Sequence, residues 1–263
     1  MSPMSKVQRP TSPIDGRTLS VQGRDPDAGR WTLDFGLSVS DLRKSFLSPA
    51  GERIDVLRGF SFSASAGQTV AIMGASGAGK STLLHLLGGL EATDHGHIAI
   101  GPFAIDTMRP ADLASFRNKH VGLIFQFHHL LPDLSAAENV ALPLIIARRG
   151  RDEAMAQAVR SLDNVGLGAR IAHPAAHLSG GEQQRVAVCR ALIAQPSLVL
   201  ADEPTGNLDA SFVQDIGKTL VSYACNSGAI VIVATHNEEL AQLCDRTLVL
   251  NEGKVSQPDS SLK

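Results

Sequence analysis

A chain of 263 residues, 43% of them hydrophobic, can bury the core of one large α/β domain, or of a domain with a small second lobe. Its formal net charge of -2 presents no basic surface that would suggest a nucleic-acid partner. The nearest candidate for a membrane span, Val140 to Ala147, is short and contains Pro143, so any membrane role runs through a partner.

Residues 1–32 carry Pro3, Pro10, Pro13 and Pro26 among polar and charged neighbours and lack the apolar stretch of a secretory signal. Asp15, Asp25 and Asp27 argue against an organelle-targeting segment, and the stretch reads as a disordered tail. Order is expected from Leu33. Residues 33–73 alternate apolar and polar around a turn at Ser48-Pro49-Ala50-Gly51, which predicts antiparallel β structure. Thr69 to Met73 is an apolar strand. Ser81 to Leu90 places Leu83, Leu84, Leu86, Leu87 and Leu90 at helical spacing, with Gly88-Gly89 weakening the end. His95 to Ile105 reads as a hairpin, with His95 and His97 as turn residues about Gly96, and Val121 to Phe125 as a buried strand.

From about 127 to 195 the pattern becomes helical. Asp152 is expected to cap a helix whose Met155, Val159, Leu162 and Val165 share one face. A second helix opens at Ser179 and runs to about Ala194, ahead of Pro196. Strand and helix then alternate: Leu198 to Ala201, a helix over 209–224, Ile230 to Ala234, a helix over 237–243, and Thr247 to Leu250 before a turn at Glu252-Gly253. Alternation of this kind predicts a mostly parallel sheet under helical cover. The expected fold is therefore α/β: a parallel core, an antiparallel β subdomain and an inserted α-helical subdomain, in one domain over 33–258 with a tail at 259–263. Cys189, Cys225 and Cys244 form no C-x-x-C pair and read as reduced, cytosolic thiols, with Cys189 a small buried residue.

Two glycine-rich turns carry the chemistry. Gly74-Ala75-Ser76-Gly77-Ala78-Gly79-Lys80-Ser81 fits the P-loop spacing, between an apolar strand and a helix. Its glycines let backbone N–H groups turn toward phosphates, at the positive end of a helix. Lys80 supplies a cation to the terminal phosphates, and Ser81 offers a hydroxyl to Mg²⁺. Leu178-Ser179-Gly180-Gly181-Glu182 has no lysine. It opens a helix with a serine hydroxyl and bare amides, a second place where an anion can bind. A chain with one of each looks like half of a two-chain ATP sandwich.

The strand Leu198-Val199-Leu200-Ala201 ends in Asp202-Glu203, at the strand end where α/β sheets bind ligands. Asp202 is expected to hold the Mg²⁺ shell. Glu203 is expected to point elsewhere, because strand neighbours alternate faces, and to polarise the water that attacks the γ-phosphate. His236 follows the strand Ile230 to Thr235, where its imidazole could reach that phosphate. Gln126 follows Val121 to Phe125, where its amide oxygen could contact Mg²⁺ and the attacking water.

On these motifs the chain resembles the ATP-binding cassette family from about residue 38 to 255. The markers stand in the family's order: Gly74 to Thr82, Gln126, Leu178 to Arg185, Leu198 to Glu203, Asn207-Leu208-Asp209 and His236. The resemblance implies a P-loop ATPase that pairs head to tail with a second copy, with Ser179 to Glu182 of one chain closing on the P-loop of the other. It also implies that Phe46 stacks on adenine, where the family more often has Tyr. Glu182 replaces the family's commonest glutamine.

The nearer resemblance is to the lipoprotein-releasing ATPases, in a group that includes macrolide-export and cell-division cassettes. It rests on Ser81 to Leu90, on Asp202 to Asp209 and mainly on Phe125-Gln126-Phe127-His128-His129-Leu130-Leu131-Pro132-Asp133. It implies that Gln126 to Asp133, with Leu130, Leu131 and Pro132, receives a helix of a membrane subunit, at the inner face of a bacterial membrane. The group leaves a macrolide exporter or a cell-division signalling complex open as the driven partner. His128 and His129 invite a metal reading, but adjacent histidines diverge and no other ligand cluster joins them. A soluble repair or translation ATPase would need a coiled-coil insertion or a second cassette, and a P-loop kinase would lack the Ser179 helix and the Asp202-Glu203 pair.

Overall fold

A computed structural model describes residues 35–206 and 210–256. The expected N-terminal tail, the onset at Leu33, Asn207 to Asp209 and the tail at 259–263 lie outside the described residues.

β1 (Gly36–Leu47) and β2 (Arg53–Ser65) form a long antiparallel pair, joined by the expected turn. With β4 (His95–Ile100) and β5 (Phe103–Ala104) they make a four-stranded sheet in the order β2-β1-β4-β5, each neighbouring pair antiparallel. His95 and His97 sit on β4, not in a turn. A register shift between Ser40 and Arg43 of β1 brings Gly96 against the chain opposite, and its φ of 92° permits the approach.

The second sheet contains β3 (Thr69–Met73), β6 (Val121–Ile124), β7 (Leu198–Asp202), β8 (Ile230–Ala234), β9 (Arg246–Asn251) and β10 (Lys254–Ser256). Its order is β10-β9-β3-β8-β7-β6, parallel throughout except for the antiparallel edge pair β9–β10. These strands are apolar on both faces because each face is covered. Leu198, Leu200, Ile230 and Ile232 face a core shared with α1 (Lys80–Leu87) and the antiparallel sheet. Val199, Ala201, Val231 and Val233 face α6 (Ala210–Ser227) and α7 (Glu238–Leu243) on the other side. The period-2 alternation of the strand thus assigns each residue to one of two cores.

α3 (Ala136–Ile146), α4 (Arg151–Asn164) and α5 (Gly180–Leu192) build the helical section around a third core. The expected face of α4 is rotated. Ala154, Ala158 and Leu162 are its buried residues, while Met155 and Val165 pack at its margin. Small residues let the helices approach closely, so alanines take the centre. Asp152 does not cap α4; the cap is Gly150, without a side-chain hydrogen bond, and Asp152 lies in the first turn, where a carboxylate suits the helix dipole. The helix α2 (Pro110–His120) was not expected from the sequence. α1 stops at Leu87, with Gly88 as its cap, and leaves Leu90 45% exposed.

Cys189 is buried, as expected, and Cys189 and Cys244 are free thiols. No helix of the described residues is long and apolar enough to cross a membrane.

Candidate functional site

β3 delivers the chain from the buried sheet directly into the loop that starts α1. The turn depends on glycine at two positions. Gly74 has a φ of 158° and its missing side chain leaves room for the Leu250 carbonyl. Gly79 has a φ of 102°, and a Cβ there would stand 2.8 Å from Val56 Cγ1. The loop so formed ends on the N-terminal turn of α1. Lys80 is the first residue of that helix and is buried. Its ammonium curls back to donate to the carbonyls of Gly74 at 2.8 Å and Ala75 at 3.2 Å.

A cleft of about 640 Å³ opens over this loop. Gly74, Ala75, Ser76, Gly77, Gly79, Lys80, Ser81 and Thr82 line one side; Phe46 and Val56 come from the antiparallel sheet; Gln126, Asp202, Glu203 and His236 close the other side. Four parallel strands thus deliver their C-terminal ends to one place. Of the P-loop residues only Ala78 points away, packing against the main core. Val56 was missed in the sequence. It belongs to β2, and only the sheet register brings it over Gly79.

The two carboxylates differ. Asp202 closes β7, and its Oδ1 is buried without a hydrogen-bond partner among the described residues. A buried oxygen with lone pairs to spare suits a cation. Glu203 lies one residue past the strand in a left-handed turn, φ 44°. Its direction is therefore set by that turn and not by strand alternation. Both carboxylates face the cleft. Glu203 Oε1 stands 3.0 Å from His236 Nδ1 and 3.7 Å from Lys80 Nζ. Its Oε2 accepts from the Thr235 hydroxyl and the His236 N–H, both at 3.3 Å.

Phe46 is 39% exposed, with Lys44 Nζ 5.1 Å from its ring centroid. Its open face is a flat apolar platform at the cleft edge. Gln126 is exposed and lies against Gly206, where a Cβ would meet its Nε2 at 3.2 Å.

Ser179, Gly180, Gly181 and Glu182 do not line this cleft. Ser179 caps α5 in a reciprocal box: its Oγ accepts from the Glu182 N–H at 3.3 Å, and Glu182 Oε2 accepts from the Ser179 N–H at 2.8 Å. Arg170 donates to the other Glu182 oxygen at 2.9 Å. The Ser179 N–H bond comes first in holding the Glu182 carboxyl below its ordinary pKa, with Arg170 adding to it. The Glu182 side chain is thus turned onto its own helix. The Ser179 hydroxyl accepts within the cap.

The segment after Gln126 exposes Phe127 (71%) and Leu131 (48%), whereas Leu130 packs against the helical core. His128 and His129 are engaged separately. His128 is partly buried, which pulls its pKa down, and Phe125 meets the His129 ring edge-on at 5.0 Å.

The family described as ABC transporter matches residues 57–206 of the chain. The lipoprotein-releasing system ATP-binding protein LolD of Geobacter metallireducens is 47% identical over 220 residues, covering 83% of this chain and 97% of that protein. The protein of the same name from Myxococcus xanthus is 46% identical, covering 84% and 98%. Among solved structures, the ATP-binding cassette MJ0796 in a dimeric post-hydrolysis state bound to ADP and Pi has a TM-score of 0.79 at 33% identity, covering 84% of this chain and 97% of that one. A dimeric structure of MJ0796, described as a bacterial ABC transporter cassette, gives 0.79 at 35%. The P-loop cleft, the fold and these matches agree: the chain belongs to the ABC transporter family, as one of its ATP-hydrolysing cassettes.

Proposed function

We propose that this chain powers the release of lipoproteins from the inner membrane toward the outer membrane, as the ATP-hydrolysing subunit of a transporter whose membrane subunits are separate chains. The relatives named for lipoprotein release match it over nearly their whole length. The cassette occupies 33–258, with a helical subdomain over about 127–195.

The observation that carries the reading is the division of the site. One cleft gathers the P-loop, Gln126, Asp202, Glu203 and His236, while the Ser179 helix start lies elsewhere on the same chain. A γ-phosphate in the cleft keeps oxygens with no donor from this chain. Ser179, Gly180 and Gly181 of a second copy supply them, with Glu182 holding that helix start in shape. Removing the phosphate removes the attraction, and the two copies part.

Within the cleft, Phe46 stacks on adenine. The loop amides and Lys80 take the phosphates. Ser81, Asp202 and Gln126 would hold Mg²⁺, which neutralises phosphate charge when bound. Glu203 takes a proton from the water whose oxygen bonds to the γ-phosphorus, while the bond to the β–γ bridging oxygen breaks and ADP leaves. His236 donates toward the γ-phosphate from the opposite side of Glu203. Gln126 to Asp133 receives the membrane subunits, which hold the chain at the cytoplasmic face of the membrane. Phe127 and Leu131 are the apolar contacts offered there.

Affinity purification of the tagged chain from detergent-solubilised membranes tests the assignment. The expected companions are membrane proteins with a large domain on the far side, and the purified assembly should release lipoproteins from vesicles when given ATP. Companions that export small molecules, or that regulate cell-wall enzymes without moving cargo, would overturn it.

A further inference from the structure

Arg190 lies on α5 about two turns beyond Gln183 and on the same face. Its guanidinium donates to the His129 carbonyl and to the His128 carbonyl, each at 2.7 Å. Burial pulls its pKa below the ordinary arginine value, and no carboxylate counters that pull. As a stability device this is uneconomical, because an apolar side chain would avoid the desolvation cost. What the arginine brings is geometry: a rigid fork whose charge-assisted bonds fix two successive carbonyls.

The place it fixes is strained. His129 has a φ of 46°, a left-handed conformation that non-glycine residues rarely adopt. The same turn is gripped from another direction. The His129 ring packs on Phe125, which in turn meets His85 of the P-loop helix at 6.5 Å. Further along, buried Asn139 accepts from the Leu131 N–H at 2.8 Å and donates to the Leu131, Leu134 and Ser135 carbonyls. The segment from His128 to Leu134 is thereby fastened to the helical section at both ends.

We propose that Arg190 is a positioning residue that makes the segment carrying Phe127 and Leu131 one mechanical unit with α5. A load applied at that segment is delivered along the helix to Ser179, where the second copy's phosphate is met. The inference rests on the reading that membrane subunits dock at Gln126 to Asp133.

Two variants test it in the full-length chain, alone and in the complex with its membrane subunits. Arg190→Met removes both bonds while keeping bulk. Arg190→Lys keeps the charge but cannot fork to both carbonyls. In the isolated chain, amides of residues 127–134 should exchange hydrogen about tenfold faster in Arg190→Met, with residues 74–82 unchanged. ATP affinity and basal hydrolysis should stay at the native level, while stimulation by the membrane subunits is lost, with Arg190→Lys intermediate. A merely structural arginine would lower basal and stimulated hydrolysis together with the melting temperature, which would refute the proposal. Native exchange over 127–134, or full stimulation of Arg190→Met, would refute it as well. If the unmodified chain is not stimulated by its membrane subunits, the docking reading fails, and this inference falls with it.

Discussion

Lys80 and Glu203 approach each other to 3.7 Å across the cleft, both largely buried. The pair is loose, because the lysine's shorter bonds go to the Gly74 and Ala75 carbonyls. A triphosphate concentrates more negative charge than one carboxylate and two carbonyl dipoles, so it takes the ammonium from both. Glu203 is then left with Thr235 and the His236 N–H on Oε2 and with His236 Nδ1 beside Oε1, and no longer has the Lys80 ammonium near it. On the proposed role of Glu203 as the base, nucleotide binding and activation of that base are coupled through one cation.

Glu203→Gln keeps the size and an acceptor for the Thr235 hydroxyl and the His236 N–H. It cannot take the proton from water. Hydrolysis is expected to fall by roughly 10²- to 10⁴-fold while ATP binding persists and the two copies stay joined. Phosphate release together with sedimentation in ATP reads both. Turnover at the native rate would show that the base lies elsewhere.

Lys80→Ala removes the cation that the loop keeps poised. Two charge-assisted bonds to phosphate are lost, so affinity is expected to drop by about ten- to a hundredfold. Titration with a fluorescent ATP analogue measures it. Undiminished affinity would contradict the assignment of the cleft.

What the sequence revealed depends on how local each signal is. The strands β3, β7 and β8 read clearly because both faces are apolar, and the P-loop and Asp202-Glu203 are contiguous in the chain. The helix α2 was invisible because Phe116 is its one buried residue, too little to make a stripe. The face of α4 is set by close helix approach rather than by side-chain size, and Ala154 and Ala158 lie at its centre. Val56 reaches the cleft only through the pairing of β1 and β2, and the direction of Glu203 is fixed by a left-handed turn. Neither has a sequence signal at its own position. The Arg190 contacts join parts of the chain far apart in sequence and were equally hidden.

Leu130 and Leu131 are neighbours with opposite environments, which separates docking from folding. Leu131→Asp adds a charge at an exposed site and should leave the melting temperature near native while abolishing stimulation by the membrane subunits. Leu130→Asp pushes a carboxylate into the helical core and should destabilise by about 1–3 kcal/mol or more. Calorimetry and coupled ATPase assays tell them apart. Native stimulation of Leu131→Asp would move the docking surface elsewhere.

The cap of α5 predicts a pH dependence. The folded state holds the Glu182 carboxyl below its ordinary pKa, chiefly through the Ser179 N–H. Its contribution is fully present above the ordinary glutamate value and is lost as pH falls through the depressed one. Glu182→Gln keeps an acceptor for Ser179 but loses the charge shared with Arg170. The variant should melt lower than the native chain at neutral pH, and the gap should close on acidification. Thermal melts over a pH series check this; a gap that stays constant into acid would exclude the ionised cap as its source.

The divided site makes the most demanding prediction. Lys80→Ala damages the cleft of its own chain, and in the proposed head-to-tail dimer Ser179→Ala damages the helix start that serves the partner's cleft. A dimer of one with the other has one cleft with both parts intact and one with neither. Random mixing makes about half of the dimers hybrid, each with one working cleft of two, so roughly a quarter of native turnover should return from two inactive preparations. Because Ser179 also caps α5, the Ser179→Ala chain must first show native helix content; the lost cap costs about 1 kcal/mol. If each chain completed its own site, Lys80→Ala would lack its cleft and Ser179→Ala its donor whatever their neighbours, and the mixture would stay as inactive as its components.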